Sequence, residues 1–284
     1  MHNVLALHFE LKNKTYIHGS YQHFKISDPK PRDIHKATVR DRLVHHALYR
    51  KLYPFFDTTF IADSYSCRRG KGTHRAMNRF RAFARKESRN HTKTVWVLKC
   101  DIKKFFASID QQTLLTIVSR YVADIDIQDL LAKIVGSFNS GTASVGLPLG
   151  NLTSQMLVNV YMNEFDQCVK HTLRVKYYIR YADDFVILSR DRERLAHLLV
   201  QIRRFLLEEM RLMLHPHKVS IQTVAAGVDF LGWVHFPDHR VLRTSTKRRM
   251  LKRVQGIEAD SPTVQSYVGM LQHGNAIKLC NTLL

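Results

Sequence analysis

Residues 175–189 read VKYYIRYADDFVILS and decide what the chain can fold into. β-Branched and aromatic residues, which favour strands, stand on both sides of Asp183 and Asp184. This pattern predicts a β-hairpin that carries the two carboxylates at its tip. Because their surroundings are apolar, the two like charges would repel each other unless one took up a proton or a cation lay beside them. Hard oxygen ligands of this kind suit Mg²⁺.

A third carboxylate, Asp101, lies near the end of a second apolar run. Residues 95–109 read VWVLKCDIKKFFASI, which predicts a buried strand that ends near Asp101. If this strand neighbours the hairpin, three acids converge, and two metal ions about 3.5–4 Å apart can clamp the reacting oxygens of a phosphoryl transfer. A solvated turn is the ordinary explanation for a lone Asp-Asp pair, but Asp101 and the charge of the chain favour a catalytic one.

The chain carries a large excess of positive charge. It has 284 residues, 45% of them hydrophobic, with 44 Lys and Arg against 24 Asp and Glu, and a formal charge of +20. This balance is typical of a nucleic-acid-binding protein, with an anionic membrane surface as the second choice. The densest basic stretch, residues 68–93, has ten Lys or Arg and a single acid, Glu87. Its interleaved aromatic residues favour phosphate contact over a solvated helix face.

The sequence predicts a soluble protein of the reducing cytoplasm. No run of about 18 apolar residues is present, and the first residues do not resemble a signal peptide. The cysteines form no CxxC pair, which indicates neither a disulfide framework nor a zinc site; they are Cys67, Cys100, Cys168 and Cys280. We therefore expect no membrane partner.

The order of the elements indicates an α+β fold, in which helices pack on an antiparallel sheet. Residues 20–38 predict two short strands about a turn centred on Asp28 and Pro29, and that centre places Lys25 opposite Arg32 on one face. Helical patterns and a further strand follow: helices over 40–53, 111–135, 152–170 and 192–214, the strand VDFLGWVHF over 228–236, and a mainly helical tail over 247–284.

Six ordered blocks resemble those of reverse transcriptases. They are a fingers-like stretch over 40–76, DIKKFFASI from 101, GLPLGNLTSQ from 146, RYADDF from 180, LHPHKVSI from 214 and DFLGW from 229. Within the group II intron-like superfamily, GNLTSQ, FKISDPKPRDI and CRRGKGTH look most like the reverse transcriptases of diversity-generating retroelements. The resemblance implies a right-hand polymerase with an antiparallel palm sheet and a short helical thumb. Its parts would be fingers 1–94, palm 95–110, a fingers/palm helical insertion 111–142, palm 143–237 and thumb 238–284.

The resemblance assigns three carboxylates and a lysine to catalysis. Asp101, Asp183 and Asp184 match the metal-binding triad, with a lesser direct role for Asp184. Two Mg²⁺ ions, replaceable by Mn²⁺ in vitro, would activate the primer 3′-hydroxyl and neutralise the leaving pyrophosphate. Lys218 matches the lysine that protonates pyrophosphate, and a plain surface lysine is the alternative. The flanking residues His215 and His217 fit a structural turn, and no zinc is expected there.

Further positions match residues that bind deoxynucleoside triphosphates and the primer. The nucleotide-binding set is Lys25, Arg32, Arg68, Phe106, Leu149, Gly150 and Gln155, and the primer grip is Phe230, Leu231 and Gly232. A structural salt bridge is the alternative for Arg68. Core packing is the alternative for Phe106, although Phe105 suits the core better if the two stand on a strand. Leu149 stands where other members have a glutamine, so base selection should weaken.

The resemblance implies synthesis of mutagenised cDNA from a template-repeat RNA, in a bacterial or phage-encoded system. Template RNA, the RNA/DNA hybrid, a structured RNA and a basic accessory variability protein would be the partners. We expect no RNase H or endonuclease domain, since the 284 residues are already assigned. Two alternatives remain open: a reverse transcriptase of another lineage (group II intron, retron or defence-associated), and a non-catalytic maturase-like RNA-binding protein, against which the three acids count.

Overall fold

The computed structural model describes residues 2–27 and 31–283, so the turn predicted at Asp28 and Pro29 lies outside the described residues. The helices are α1 His2–Lys12, α2 Val39–Thr59, α3 Thr73–Glu87, α4 Phe105–Ser108, α5 Gln111–Tyr121, α6 Ile125–Gly136, α7 Leu152–Gln167, α8 Arg192–Glu208, α9 Thr244–Val254, α10 Pro262–Leu271 and α11 Ile277–Leu283. The strands are β1 Gln22–Ile26, β2 Arg32–Lys36, β3 Trp96–Asp101, β4 Tyr178–Tyr181, β5 Asp184–Ser189, β6 Ser220–Thr223, β7 Val228–Phe230, β8 Trp233–His235 and β9 Arg240–Leu242. Among the described helices, none combines the length and the apolar composition that crossing a membrane requires.

The central sheet has four strands in the order β4-β5-β3-β6, each antiparallel to its neighbour. Its strands are apolar almost throughout because both faces are covered. Leu98 and Phe185 pack with α2, α5, α7 and α8 on one face, whereas Val97 and Val186 pack with α3 and β7 on the other. The α+β class with an antiparallel sheet is therefore confirmed.

A second, three-stranded sheet departs from the sequence prediction. Residues 228–236 hold two strands, β7 and β8, because the chain reverses at Leu231 and Gly232, whose φ angles are +54° and +86°. Positive φ at both central residues is the geometry of the tight hairpin turn that matches strand twist. β9 then pairs with β8, so this sheet extends into residues predicted as thumb, and the helices of that region begin at Thr244.

Two predicted helical segments end differently in the structure. Residues 111–135 form two helices, because Asp124 interrupts the pattern and its carboxylate caps α6 by accepting two backbone hydrogen bonds. The pattern over 192–214 is helical only as far as Glu208. Periodicity alone predicts neither break, since both are made by polar residues that an amphipathic helix also tolerates.

A buried ion pair joins the β4–β5 hairpin to α7. Arg180 and Asp166 are both fully buried, and the guanidinium donates to the carboxylate from Nε at 2.8 Å and from Nη2 at 2.7 Å. The Tyr178 hydroxyl donates to the same carboxylate at 2.7 Å. Arg180 also donates to the carbonyl oxygen of Ala182, 3.2 Å away in the hairpin turn. Paired, charge-assisted hydrogen bonds are directional, so they fix the turn that carries Asp183 relative to the helical layer.

Asp166→Ala should lower the free energy of unfolding by about 3–5 kcal/mol, because Arg180 would stay buried without its counter-charge. Chemical denaturation followed by circular dichroism measures this loss. Glu208→Ala, which removes the exposed partner of Arg204, is the control and should change stability little. A loss for Asp166→Ala no larger than that of the control would contradict the structural role of the ion pair.

Candidate active site

Three aspartates lie at one end of the central sheet. Asp101 is the last residue of β3, Asp184 is the first residue of β5, and the two stand directly opposite each other in the antiparallel register. Asp183 lies in the turn between β4 and β5, where its carbonyl oxygen accepts a hydrogen bond from the Ile102 N–H at 3.2 Å. The expectation that the two predicted strands are neighbours is confirmed, and this pairing brings the three acids to one edge.

The basic residues around Asp183 and Asp184 do not offset the burial of these two carboxylates. Burial raises the pKa of Asp183, and the charge of Asp101 raises it further. Burial also raises the pKa of Asp184 to about 6, although the Lys99 ammonium opposes this shift. Lys218 Nζ donates to both carboxylate oxygens of Asp101, at 2.8 and 2.9 Å. The site therefore favours the arrival of further positive charge.

The donor atoms of this edge suit a hard divalent cation. All three side chains offer carboxylate oxygens, which are the ligands that Mg²⁺ prefers. Within residues 2–27 and 31–283, no three His, Cys, Asp or Glu side chains are already arranged as a metal-binding group. The Asp101 carboxylate is instead engaged by Lys218. A cation bound here would share that carboxylate with the ammonium or displace it.

A tight turn brings Lys218 to Asp101. The His215 N–H donates to the Asp101 carbonyl oxygen at 2.7 Å, and the Lys218 N–H donates to the His215 carbonyl oxygen at 3.2 Å. The His217 N–H donates to His215 Nδ1, also at 3.2 Å. The two histidines thus belong to a structural turn, as their spacing indicated, and this turn positions the lysine.

The β1–β2 hairpin, which we call the fingers hairpin, contradicts the predicted pairing of Lys25 with Arg32. Lys25 stands opposite Asp33, and Arg32 stands opposite Ile26. The register differs from the predicted one by one residue, and because side chains alternate between faces, Lys25 and Arg32 point to opposite faces. The Arg32 charge acts on Asp183, where it opposes the burial that raises the pKa of that carboxyl. The Arg32 charge therefore reaches the acids, whereas Lys25 shares the opposite face of the hairpin with Asp33.

The loop that precedes α7 is hydrogen-bonded to β2. The His35 N–H donates to the Leu149 carbonyl oxygen at 3.0 Å, and Asn151 Nδ2 donates to the His35 carbonyl oxygen at 2.7 Å. Gly150 between them has a φ of +109°, and a Cβ atom there would lie 2.9 Å from Ile34 Cγ2. Glycine is therefore required for this close approach of loop and strand.

Phe106 and Leu149 line one cavity of about 760 Å³, which lies between β2 and residues 138–141. Phe106 is partly exposed, whereas Phe105 is buried in the core. The sequence predicted that Phe105 rather than Phe106 would lie in the core, and the structure agrees. Strand alternation is not the cause, because the two rings stand on a helical turn, α4.

The structural salt bridge named as the alternative for Arg68 is confirmed. The Arg68 side chain is 5% exposed, and its Nε donates to the Asp57 carboxylate at 2.7 Å. Three more of its N–H groups donate to the carbonyl oxygens of Asp57, Ile61 and Ser64. Four of the five guanidinium donors are thus engaged within the protein, which removes Arg68 from the nucleotide-binding set.

The side chain of Phe230, predicted to belong to the primer grip, is not available to a primer. It is fully buried and packs against Phe80 of α3, with ring centroids 5.8 Å apart. Alternate residues of a strand face opposite sides, and this one faces the core. The residues of the predicted primer grip that reach the hairpin turn are Leu231 and Gly232.

Sequence reasoning missed several residues that support this edge. Arg180 and Lys99 stand within apolar strands, and Lys99 Nζ donates to the Asp229 carbonyl oxygen at 2.6 Å. A basic residue inside such a strand is itself a signal, because a buried charge requires a partner. Asn151 gave no signal beyond its place before a helix. Gln155, which was expected to face the nucleotide, is partly buried in the first turns of α7.

Comparison with known proteins agrees with this geometry. The chain matches the reverse transcriptase (RNA-dependent DNA polymerase) family over residues 25–235. Similar proteins include protein YkfC of Escherichia coli strain K12, which is 25% identical over 297 residues covering 89% of this chain and 76% of YkfC. Another is the group II intron-encoded protein LtrA of Lactococcus lactis subsp. cremoris, 21% identical over 292 residues covering 79% of this chain and 47% of LtrA.

Solved structures with a similar fold include two yeast telomerases. Telomerase from Candida albicans, in complex with the TWJ fragment of telomeric RNA, has a TM-score of 0.58 and 12% identity over 85% of this chain and 49% of that chain. Apo telomerase from Candida tropicalis, truncated from the C-terminal domain, has a TM-score of 0.54 and 12% identity over 84% of this chain and 58% of that chain. The right-hand polymerase fold is thereby confirmed.

The chain spans about half the length of LtrA and of these telomerases. Because the family match extends over residues 25–235 of 284, the chain belongs to the reverse transcriptase (RNA-dependent DNA polymerase) family.

Proposed function

We propose that the protein is an RNA-directed DNA polymerase that extends a primer by nucleotidyl transfer at Asp101, Asp183 and Asp184. The observation that carries the proposal is the placement of these acids at one sheet edge beside Lys218, within the span matched to the family. Carboxylates crowded in this way destabilise one another unless a cation joins them. A cation-dependent function explains why the chain keeps them together.

The acids and the lysine would divide the chemistry between them. Asp101 and Asp183 would hold divalent cations, with a smaller direct share for Asp184. When bound, two Mg²⁺ ions supply the Lewis acidity that stabilises charge on the attacking and leaving oxygens. Lys218 Nζ, which lies 2.8 Å from Asp101, would donate a proton to the departing pyrophosphate.

The incoming deoxynucleoside triphosphate would lie between the three acids and the cavity that Phe106 lines. Arg32 is on the side of the acids and would bind the triphosphate through its guanidinium fork. Phe106 would pack against the sugar and exclude a 2′-hydroxyl. Leu149 and Gly150 would back the base pair, and Gln155 on α7 would complete that wall.

A finer proposal is that the enzyme serves a diversity-generating retroelement of a bacterium or phage and makes cDNA with errors opposite template adenines. The aliphatic Leu149 supports it, because this side chain on the cavity wall offers a base shape but no hydrogen bond. A template-repeat RNA and a basic accessory variability protein would then be the partners. Reverse transcriptases of group II introns, retrons or defence systems would share the acids, and they predict no concentration of errors at adenine.

Asp183→Ala should lower primer extension on an RNA template by more than 100-fold, since losing about 3 kcal/mol of metal-based transition-state stabilisation has that effect. The assay contains Mg²⁺ and four deoxynucleotides, and the product is quantified on a gel. Asp129→Ala, which removes an exposed carboxylate on α6, is the matched control and should retain activity. Extension that survives Asp183→Ala would contradict the catalytic role of this carboxylate. RNA binding by the wild type without any extension, unchanged in Asp183→Ala, would favour a non-catalytic RNA-binding protein.

Leu149→Gln should reduce misincorporation opposite template adenine, because the amide adds a hydrogen-bonding group where the wild type supplies only shape. Sequencing of the cDNA measures the error spectrum. Leu149→Met keeps the apolar character and should leave the spectrum as it is. Identical spectra for all three proteins would exclude Leu149 as the cause, and rare, evenly spread errors in the wild type would reject the retroelement proposal while keeping the polymerase.

Gly150→Ala should raise the KM for deoxynucleotides by about tenfold, the equivalent of ~1.4 kcal/mol. The added Cβ would press on Ile34 and shift the fingers hairpin, and a φ of +109° disfavours any other residue. Steady-state primer extension gives this KM. Gly136→Ala, where a Cβ would meet nothing within 4 Å, is the control. Equal KM values for the two variants would show that contact between loop and hairpin does not set nucleotide affinity.

A further inference from the structure

A cavity of about 250 Å³, lined by Arg81 and Arg240, lies away from the three acids. It is bounded by α3, by the turn between β8 and β9, and by the segment that joins α10 to α11. β8 runs from the Leu231–Gly232 turn to this cavity. The cavity therefore lies at the opposite end of that hairpin from the residues proposed to contact the primer.

The guanidinium of Arg240 lines this cavity and is incompletely satisfied. Its Nε donates to the His273 carbonyl oxygen and its Nη2 donates to Asn78 Oδ1 at 3.1 Å. Its Nη1 is buried and has no hydrogen-bond partner in the part of the chain that the structure describes. A buried donor on a charged group is destabilising when left unpaired. Nη1 itself is enclosed by the protein, but the positive charge of Arg240 stands on the cavity wall, where an anion would offset it.

Positive charge accumulates around Arg240 without a matching acid. Burial lowers the pKa of Arg240, and the neighbouring Arg81 guanidinium lowers it further. Among the described residues, Arg81 donates to one acceptor only, the backbone carbonyl oxygen of Asp238, at 3.3 Å. The Asp238 carboxylate is 80% exposed and accepts from His239 Nδ1. In the described chain no carboxylate lies within salt-bridge distance of Arg240 or Arg81, and none lines the cavity.

We propose that this cavity binds a phosphate group. Arg81 presents N–H donors to this space, Arg240 adds its positive charge from the wall, and the amide side chains of Gln272 and Asn275 add neutral donors. Tetrahedral phosphate oxygens accept from such a set and supply the missing negative charge. The phosphate would come either from a nucleic-acid backbone or from a free nucleotide. This site does not depend on the polymerase activity proposed above.

The fold explains why the cavity is already shaped. The Asn275 N–H donates to the Arg240 carbonyl oxygen at 2.9 Å, which fixes the α10–α11 segment to β9. A Cβ atom at Gly274 would lie 2.0 Å from Trp233 Cζ3, so only glycine lets this segment rest on the indole. Arg240 lies over the same indole, 5.9 Å from its ring centroid. A wall held in this way would bind an anion with little rearrangement.

Two variants and a matched control test the site. Arg81→Gln removes one exposed guanidinium, and Gln272→Glu places a carboxylate on the cavity wall. Arg204→Gln is the control, because it removes the same charge from an exposed position on α8, which packs on the other face of the central sheet. All three positions are exposed, so the variants should fold. Circular dichroism checks that they do.

The first measurement is thermal unfolding with inorganic phosphate against chloride at equal ionic strength. The second is fluorescence anisotropy of a labelled, blunt 16-base-pair RNA duplex over a range of salt concentrations. Phosphate should raise the Tm of the wild type and of Arg204→Gln, and not that of Arg81→Gln or Gln272→Glu. If the natural ligand is a nucleic-acid backbone, the slope of log affinity against log salt should fall by about one in Arg81→Gln and stay unchanged in Arg204→Gln.

The outcomes separate the two sources of phosphate. A phosphate-dependent Tm together with a reduced salt slope supports a backbone phosphate. A phosphate-dependent Tm with an unchanged slope supports a free or nucleotide phosphate. If Arg81→Gln behaves as Arg204→Gln does in both measurements, the proposed site is overturned.

Discussion

A buried charge pair, Arg180 with Asp166, holds the sheet edge that carries the three aspartates. Three carboxylates that repel one another cannot hold a hairpin tip in place, so the position of Asp183 has to be imposed from elsewhere. Arg180 imposes it by donating to Asp166 on α7 and to the carbonyl oxygen of Ala182 in the turn itself. It donates also to Ser64 Oγ at 3.1 Å. One side chain thus connects the turn, the helical layer and the segment before α3.

Three of the four strands of the central sheet, β3, β4 and β5, could be predicted from the sequence because they are mostly apolar and lie next to the acids. The stretches around Asp101 and around Asp183 and Asp184 predicted two strands and a hairpin tip, and the structure has them. The three-stranded sheet was harder to predict from the sequence. A leucine at the first position of a two-residue turn hides the reversal at Leu231 and Gly232, because the usual signals for such a turn are asparagine, aspartate or glycine.

The residues of the candidate site that stand at the ends of strands could be predicted from the sequence. Which side chains are free to act is decided by packing across the chain, and a local pattern does not contain that information. Arg68 and Phe230 are both buried against residues of α2 or α3 or the turns beside them, so neither is available. Arg180 shows the reverse case: its motif was visible, but its partner Asp166 lies 14 residues earlier on another element.

The two strands of the fingers hairpin are held unequally. β2 is anchored through His35 and through Asn151, whose Oδ1 also accepts from the Ala37 N–H at 3.2 Å, whereas every residue of β1 is exposed. A shift in the register of the two strands would therefore be taken up by β1 sliding along a fixed partner. Such a shift would change which residues of β1 face the acids and leave Arg32 where it is. The hairpin can thus exchange the side chains that β1 offers without losing the anchored arginine.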